Sequence, residues 1–435
     1  MQKPATLVMA MAKCQIAHRD GNVLELRNLR KVERRLRRRW NALRCKYLLA
    51  QREAQTRLPK QLTCFGNTAT FDRTLWARVL EEHCVQAYSS NEQSITRNMR
   101  TARWASYASA TELDGRSPPE WPFDLTLSQR VLLRTDSAAG GGSHVVNEAL
   151  QCLPLQTIVL IHNAFVHRYL GRAQEELSSW KLVSLAFIGK VKNPSSMKEF
   201  RGISQLDVIG KWYMKCLVAI AQKSVPLIFR VKWNSVNSYA FQRGHQTAHI
   251  GTLLTELVNR ANTFRGSEVS IVEGDVQTCF DDVSLDLIER SLTFWQFHPR
   301  IVHAFLVELE ALQGMAVLGT ISIPKPFCYD KLRQGGSDGP FLWDTIVRYL
   351  TCLIQDRWAT HQWNVFRLDG YSVSPIWWAD NFWIVSQNPE DGKYMLQDVV
   401  DVLYEHNLYI KQTSSSSKEH SIPLLFYQFT EERCS

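Results

Sequence analysis

The sequence predicts an α+β protein in which a small sheet flanked by helices follows a basic helical N-terminal region. Two patterns indicate this fold class. Apolar residues recur every three to four positions over residues 24–56, and from about residue 144 onward helical stretches alternate with short β-branched runs. A hydrophobic content of 45% in 435 residues is sufficient for a sizeable core. We therefore expect a folded chain of two or three domains.

The first predicted element is a long helix over residues 24–56. One stripe of this helix is apolar, and the opposite face carries nine cations that would repel one another without a partner. We expect this face to bind nucleic acid through phosphate contacts, with a merely solvated face as the alternative. The expected contacts are made by Arg34, Arg35, Arg37, Arg38 and Arg39.

Further along the chain, a second helix is expected over residues 71–89. A stretch rich in Pro and Gly at 112–122 indicates a boundary, and a Gly- and Ser-rich stretch at 135–143 indicates a flexible lead-in. These signals divide the chain into a basic helical region with its linker (1–120), a main domain (140–420) and a short C-terminal tail (421–435).

Composition limits the class of partner and the compartment. A net charge of +9 favours a polyanionic partner, and composition alone leaves nucleic acid and an acidic membrane both open. Ten cysteines without zinc-like spacing are typical of core thiols in a reducing compartment. No apolar run approaches the roughly 18 residues of a membrane span, and the N-terminus lacks the features of a signal peptide. We expect an intracellular protein, nuclear or cytoplasmic, with no membrane partner and with its oligomeric state open.

Two acids are expected to end neighbouring strands. The run "VSIVEGDVQTCFDDV" predicts a strand that ends at Asp275, and "WWADNFWIV" predicts a β-hairpin with Ala379, Asp380 and Asn381 in its turn. One sheet can bring both carboxylates together, and paired carboxylates are what two Mg²⁺ ions require. An ordinary polar turn is the alternative for Asp380.

Between the two acids, "LRQGGSDGPFLWDTIV" combines adjacent glycines with a helix start. Glycines allow a backbone to approach a ligand closely, and Ser337 or Asp338 is expected to cap the helix that Pro340 begins. Upstream, Lys190, Arg201 and Lys211 surround a short apolar segment. Cations that face a carboxylate–metal site are suited to a triphosphate, whereas a lone cation among apolar residues is more often half of a surface ion pair.

Five segments in this order resemble the reverse transcriptase domain of non-LTR (LINE-type) retrotransposons, over roughly residues 140–420. "WKLVSLAFIGKVKN" with "FRGIS" resembles the fingers motif, and "YAFQRGHQTAHI" resembles the segment that follows it. "GDVQTCFDDV" is similar to the motif with the metal-binding aspartate, "LRQGGSDGPFLW" to the Arg-Gln-Gly motif, and "WWADNFWIV" to the hairpin usually written YADD. The resemblance implies a right-hand polymerase fold with fingers and palm and with the thumb missing or truncated.

The resemblance also implies roles for individual residues. Asp275 and Asp380 would be catalytic and would hold the metals, with the carbonyl of Val276 and with Asn381 as further ligands. The cofactor would be Mg²⁺, with Mn²⁺ as the alternative. The nucleotide-binding residues would be Lys190, Arg201, Phe280, Gln334 and Gly335, among which the Phe280 ring would exclude a ribose 2′-OH. The implied partners are an RNA template, a DNA primer and dNTPs.

Several positions depart from the family pattern. Asn381 replaces the second aspartate of the hairpin, Trp378 replaces its tyrosine, Gly202 replaces a proline, and Ser143 stands where an aspartate is expected. Lys411 and Lys418 both compete for the place near the leaving pyrophosphate. Asp281 either corresponds to the aspartate of the family's Phe-Asp pair or is the N-terminal cap of a helix. These departures leave an alternative to RNA-directed DNA polymerisation: an inactive remnant of the enzyme that only binds RNA. An intron-type maturase or a viral RNA-dependent RNA polymerase fits less well.

Overall fold

In the computed structural model, the described residues are 62–63, 69–70, 73–89, 94–108, 125–134, 145–171, 178–191, 193–242, 244–263, 269–368, 370–411 and 427–428. The predicted helix over 24–56 with its five arginines, the boundary at 112–122 and the lead-in at 135–143 lie outside them. The chain divides into two compact units, a smaller one of residues 1–76, 187–201 and 318–321 and a larger one of residues 77–186, 202–317 and 322–435.

Helices make up most of the described residues of the larger unit. They are α1 (Arg73–Tyr88), α2 (Ser94–Ala108), α3 (Leu125–Leu133), α4 (Asn147–Gln151), α5 (Leu155–Tyr169), α6 (Val208–Ser224), α7 (Leu227–Ser235), α8 (Thr247–Thr263), α9 (Cys279–Asp282), α10 (Leu285–Phe294), α11 (Pro299–Leu309), α12 (Gly339–His361) and α13 (Pro389–Glu405). Helix α1 confirms the helix expected over 71–89. Ordinary caps fix several helix starts, since Ser284 accepts from the amide of Leu287 at 3.2 Å and Asn388 from that of Asp391 at 2.7 Å. None of the described helices is long and apolar enough to cross a membrane.

The strands form two larger sheets and two short hairpins. They are β1 (Leu62–Thr63), β2 (Ala69–Thr70), β3 (Leu182–Gly189), β4 (Phe200–Gln205), β5 (Asn237–Ser238), β6 (Ser270–Gln277), β7 (Leu312–Leu318), β8 (Ile321–Ser322), β9 (Phe327–Tyr329), β10 (Arg367–Leu368), β11 (Tyr371–Ser372), β12 (Ile376–Trp378), β13 (Asn381–Ser386), β14 (Tyr409–Ile410) and β15 (Tyr427–Gln428). The central sheet has the order β14-β6-β13-β12-β5, with β15 also paired to β6. The second sheet has the order β4-β3-β7-β8, with β9 paired to β7.

Strand β6 pairs with β13, β14 and β15, and its side chains alternate between two hydrophobic clusters. Val272 and Val276 belong to the main core, in which Trp343 of α12 and Phe382 of β13 are also buried. Ile271 belongs to a smaller cluster on the other face of the sheet. This period-two pattern is the physical reason that the β-branched run forms a strand. β6 continues to Gln277, two residues past the predicted end at Asp275.

Within the larger unit, helix α2 is bonded to α10 through one buried carboxylate. Glu289 on α10 is 5% exposed and accepts hydrogen bonds from Arg103 Nε, Trp104 Nε1 and Tyr107 O–H of α2, each at 2.8 Å. Burial opposes ionisation of Glu289, yet these three donors hold its pKa below its ordinary value. A charged hydrogen-bond network of this kind fixes α2 firmly against α10.

Candidate active site

The predicted hairpin is present, and its turn is tighter than the sequence suggests. Strands β12 and β13 pair with Trp378 opposite Asn381, so only Ala379 and Asp380 form the turn, and Asn381 is the first residue of β13. Ala379 has a φ of +56°, a backbone conformation that residues with a side chain rarely adopt. The indole Nε1 of Trp343 donates to the Ala379 carbonyl at 2.8 Å and holds the turn. Asp380 is thereby fixed at the end of the sheet.

Strand β6 lies beside this hairpin and carries Asp275 to the same end of the sheet. Asn381 is directly opposite Asp275 in the antiparallel pair, and the amide of Val276 donates to the Asp380 carbonyl at 2.8 Å. Opposed residues of an antiparallel pair point to the same face of the sheet. The fold therefore brings Asp275, Asp380 and Asn381 together although 105 residues of sequence separate the two aspartates, by subtraction of their numbers.

Lys411 borders Asp275 on the side away from the hairpin. Its amide donates to the Asp275 carbonyl at 2.9 Å, and its ammonium lies 3.4 Å from Asp275 Oδ2. The side chains of Lys411 and Asp275 are 63% and 35% exposed, so solvent screens this ion pair. Of the two lysines that the sequence left open, Lys411 is thus beside the carboxylate, and Lys418 lies outside the described residues.

The buried thiol of Cys279 lies close to several carboxylates at this end of the sheet. Burial raises the pKa of Cys279, and the negative charges of Asp380, Asp281 and Asp275 raise it further. Three carboxylates therefore act on one thiol. Asp281 is the third residue of α9, whose N-terminal cap position is Thr278, so the interpretation of Asp281 as a cap is wrong. Such a concentration of acids is favourable where a cation neutralises it.

The donor set at the turn suits a hard divalent cation. Among the described residues, no group of three or more His, Cys, Asp or Glu side chains could hold a metal ion. Here the possible ligands are two carboxylates and one amide oxygen, and Asp275 is open enough for an ion to reach it. Oxygen donors of this kind are the ligands that Mg²⁺ and Mn²⁺ prefer.

Phe280 packs against the start of α12, next to the same turn. Its ring is half-buried, and its centroid lies 6.0 Å from that of Trp343. A Cβ atom at Gly339 would come within 3.2 Å of the Phe280 ring, so the glycine allows the ring and the helix start to approach each other. Phe280 is therefore held in a fixed position through Trp343, the residue that also holds the hairpin turn.

The segment with adjacent glycines that precedes α12, residues 333–338, forms a loop that is closed by a buried ion pair. Arg333 and Asp338 lie at its two ends, 2.9 Å apart and almost fully buried. The carbonyl of Gln334 accepts from the amide of Ser204 at 2.7 Å. Gly335 has a φ of +110°, and a Cβ atom there would lie 2.8 Å from the Ser204 carbonyl oxygen. The loop therefore requires glycine at this position.

Neither predicted cap of α12 works as expected. Asp338 occupies the N-terminal cap position, but its side chain makes no capping hydrogen bond, because it pairs with Arg333 instead. Ser337 donates to the carbonyl of Lys211 in α6 at 3.1 Å. Asp338 is thus at the predicted cap position, but neither side chain caps the helix, because Arg333 and the Lys211 carbonyl take the place of the helix amides.

The predicted cations are distributed over both units. Lys190 follows β3 and donates from its ammonium to the carbonyl of Lys198 at 3.1 Å, and Arg201 is an exposed residue of β4. Both belong to the smaller unit, and their action on a triphosphate stays a prediction. Lys211 is half-buried in α6, and burial, followed by the charge of Lys215, lowers its pKa.

The fold and this geometry agree with one family model. Residues 190–425 match the model described as reverse transcriptase (RNA-dependent DNA polymerase). The match covers more than half of the chain, so the chain belongs to the reverse transcriptase family. The fold class predicted from the sequence, α+β with fingers and palm, is confirmed. No curated protein matches the sequence.

Solved structures that resemble the chain include telomerases. An apo telomerase from Candida tropicalis, truncated from its C-terminal domain, is 11% identical with a TM-score of 0.38, and the match covers 57% of this chain and 52% of that one. A telomerase from Candida albicans in complex with a fragment of telomeric RNA is 9% identical with a TM-score of 0.39, and the match covers 62% and 48% of the two chains. The chain thus spans about half of the length of these telomerases.

Proposed function

We propose that the chain is the RNA-directed DNA polymerase of a non-LTR retrotransposon and adds dNTPs to a primer 3′-OH. The observation that carries this proposal is the pairing of β6 with β13, which sets Asp275 beside Asp380 and Asn381. The order of the sequence motifs supports the non-LTR subtype. In this proposal the polymerase domain covers residues 140–420, between the basic region of residues 1–120 and the tail of residues 421–435.

The proposed work of the residues follows from their chemistry. Asp275, Asp380, the Val276 carbonyl and the Asn381 amide oxygen would hold Mg²⁺ or Mn²⁺. When bound, such metals stabilise the negative charge that develops on the entering and leaving oxygens. The Phe280 ring limits the room at the sugar, and Gln334 and Gly335 contact template and nucleotide. Lys190 and Arg201 bind the triphosphate, and the five N-terminal arginines hold RNA by its phosphates.

Primer extension on poly(rA)/oligo(dT) tests the proposal, with Mg²⁺ and with Mn²⁺. Asp275→Asn or Asp380→Asn should lower extension by about a thousandfold or more, since lost metal ligation removes about 4 kcal/mol of transition-state stabilisation. RNA binding should persist in both variants. Asp356→Asn, an exposed acid on α12, is the matched control. Extension at the unmodified rate in either site variant would remove the site assignment.

A second candidate, an inactive polymerase fold that only binds RNA, is favoured by two observations. Asn381 supplies no charge where the family has an aspartate, and the Lys411 ammonium already pairs with Asp275 at 3.4 Å. Both features weaken cation binding at the turn. Full RNA affinity without extension in either metal would establish this candidate.

A further inference from the structure

The larger unit contains a cavity away from the carboxylates. Its volume is about 860 Å³, and its walls are the C-terminal end of α12, the end of α7, β5 and the hairpin β10–β11. Trp343, which holds the hairpin turn, and Trp358, which lines the cavity, lie about 22 Å apart along α12, the rise of fifteen residues. None of Asp275, Asp380, Asn381 and Lys411 lines the cavity. The cavity is therefore separate from the site described above.

The lining of this cavity is partly apolar, and its polar part contains no acid. Four side-chain amides line it, Asn234, Asn237, Gln355 and Gln362, and none of the described residues that line it carries a carboxylate. Two of the amides are oriented by backbone contacts. Asn237 Nδ2 donates to the Ser372 carbonyl at 3.3 Å, and Gln355 Nε2 donates to the Ser374 carbonyl at 3.2 Å. Each amide retains further donor and acceptor capacity for a ligand.

An aromatic ring and a cation complete the lining. The indole of Trp363 is held by two neighbours. Its ring stacks on that of Tyr394, with centroids 5.0 Å apart and an interplanar angle of 9°, and its Nε1 donates to Asp398 Oδ2 at 2.8 Å. Arg367 is exposed at the β10 edge of the cavity. A rigid ring surface favours a planar group, amides recognise the hydrogen-bonding edge of a base, and a guanidinium recognises a phosphate.

We propose that this cavity binds a nucleotide unit, with the base at Trp363 and the amides and the phosphate at Arg367. The volume lies within the range of roughly 300–1,000 Å³ that is typical of small-ligand sites. The absence of carboxylates from the lining allows an anion to enter without repulsion. The unit is either a free nucleotide or one residue of an RNA strand, because both present the same base and phosphate.

Calorimetric titration of the full chain with AMP, without divalent metal, tests the free nucleotide. AMP should bind with a Kd below about 1 mM. Ala359→Trp fills the cavity and should weaken the binding of AMP at least tenfold. Thr360 is an exposed neighbour that does not line the cavity, so Thr360→Trp should leave AMP binding unchanged. Arg367→Gln should weaken AMP but not adenosine, and Arg357→Gln, whose partner is Glu405, should change neither. Ribose 5-phosphate that binds as tightly as AMP would exclude base recognition and overturn the proposal.

Photo-crosslinking with single-stranded RNA that contains 4-thiouridine tests the strand. Crosslinks within residues 355–373 that Ala359→Trp abolishes and Thr360→Trp preserves would assign the site to a strand, even if AMP does not bind. If neither AMP affinity nor these crosslinks respond to Ala359→Trp, the cavity binds no nucleotide. Asp275→Asn should leave both results unchanged, which keeps this outcome distinct from that for the polymerase.

Discussion

Asn381 lies directly opposite Asp275 on the neighbouring strand, and the amide of Val276 donates to the Asp380 carbonyl beside them at 2.8 Å. Lys411 borders Asp275 on its other side. Asp275 therefore lies between the side-chain amide of Asn381, on β13, and the ammonium of Lys411, which directly follows β14. This arrangement leads to the first two predictions.

Asn381→Asp should lower the Mg²⁺ concentration needed for half-maximal primer extension, because it adds a charged oxygen ligand. With asparagine, extension should be greater in Mn²⁺ than in Mg²⁺ at low millimolar concentrations, since Mn²⁺ binds oxygen sites more readily. Without metal, the added carboxylate should destabilise the variant by about 1 kcal/mol through like-charge repulsion. Superimposable Mg²⁺ titrations of the two proteins would show that residue 381 is not a metal ligand.

Lys411→Gln should change stability little and catalysis strongly. A largely exposed ion pair contributes about 0–1 kcal/mol to the free energy of unfolding. A cation near the leaving pyrophosphate typically contributes much more, so we expect extension to fall by about tenfold or more. Lys418→Gln, tested in parallel, should behave like the unmodified protein. The reverse pattern would assign the role to Lys418.

Phe280→Ala should relax discrimination between the two sugars. Removal of the ring creates room at the 2′ position. The kcat/KM for rGTP should therefore rise, and the kcat/KM for dGTP should fall little. The measurement is the ratio of kcat/KM for dGTP to that for rGTP, in which a general loss of activity cancels. Phe280→Tyr keeps the ring and should keep the ratio. A constant ratio in the alanine variant would mean that Phe280 only packs against Trp343.

Gly335→Ala should destabilise the protein by about 2 kcal/mol, because the left-handed backbone is strained for alanine. The added Cβ would also lie 2.8 Å from the Ser204 carbonyl oxygen. Gly251→Ala in α8 is the control, since a Cβ there meets nothing within 4 Å, and should stabilise by about 0.5–1 kcal/mol. Urea unfolding of both variants provides the comparison. Equal stability of the two would show that the loop accepts alanine by moving.

Lys181 should make a contribution to the free energy of unfolding that rises at alkaline pH. Burial lowers its pKa from 10.5 to about 8, and its ammonium donates to the Glu310 carbonyl at 2.8 Å. Between pH 8 and 10.5 the unfolded chain binds a proton that the folded chain has released, so this contribution to the free energy of unfolding rises with pH. Across that window the unmodified protein should gain at most about 3 kcal/mol relative to Lys181→Met. Parallel curves of unfolding free energy against pH would contradict the shift.

The sequence predicts the strands of the site well and their partners poorly. The β-branched runs around Asp275 and Asp380 give clear period-two patterns, which the structure confirms as β6, β12 and β13. The register that sets Asn381 opposite Asp275 depends on a pairing across about 100 residues. Local patterns contain no information on such a pairing.

The roles of single side chains are also poorly predicted by local sequence patterns. Sequence patterns suggest a cap at Asp338, but burial and the Arg333 partner five residues away decide its role. Trp343 looks like a core residue, and only the tertiary structure shows that its indole holds the hairpin turn. Only the pairing of β14 with β6 shows that Lys411 lies beside Asp275. Burial decides the role of Asp338, and contacts between distant parts of the chain decide the other two cases.

The attachment of α2 through Glu289 has a consequence for how the chain can be shortened. A version that starts after residue 120 would retain the buried Glu289 carboxylate but lose Arg103, Trp104 and Tyr107, its three donors. Loss of the partners of a buried charge costs about 3–5 kcal/mol, a large share of the stability of a typical domain. We therefore expect a stable shortened version to include α2 and to begin at or before residue 94, upstream of the segment of residues 140–420 that resembles the family.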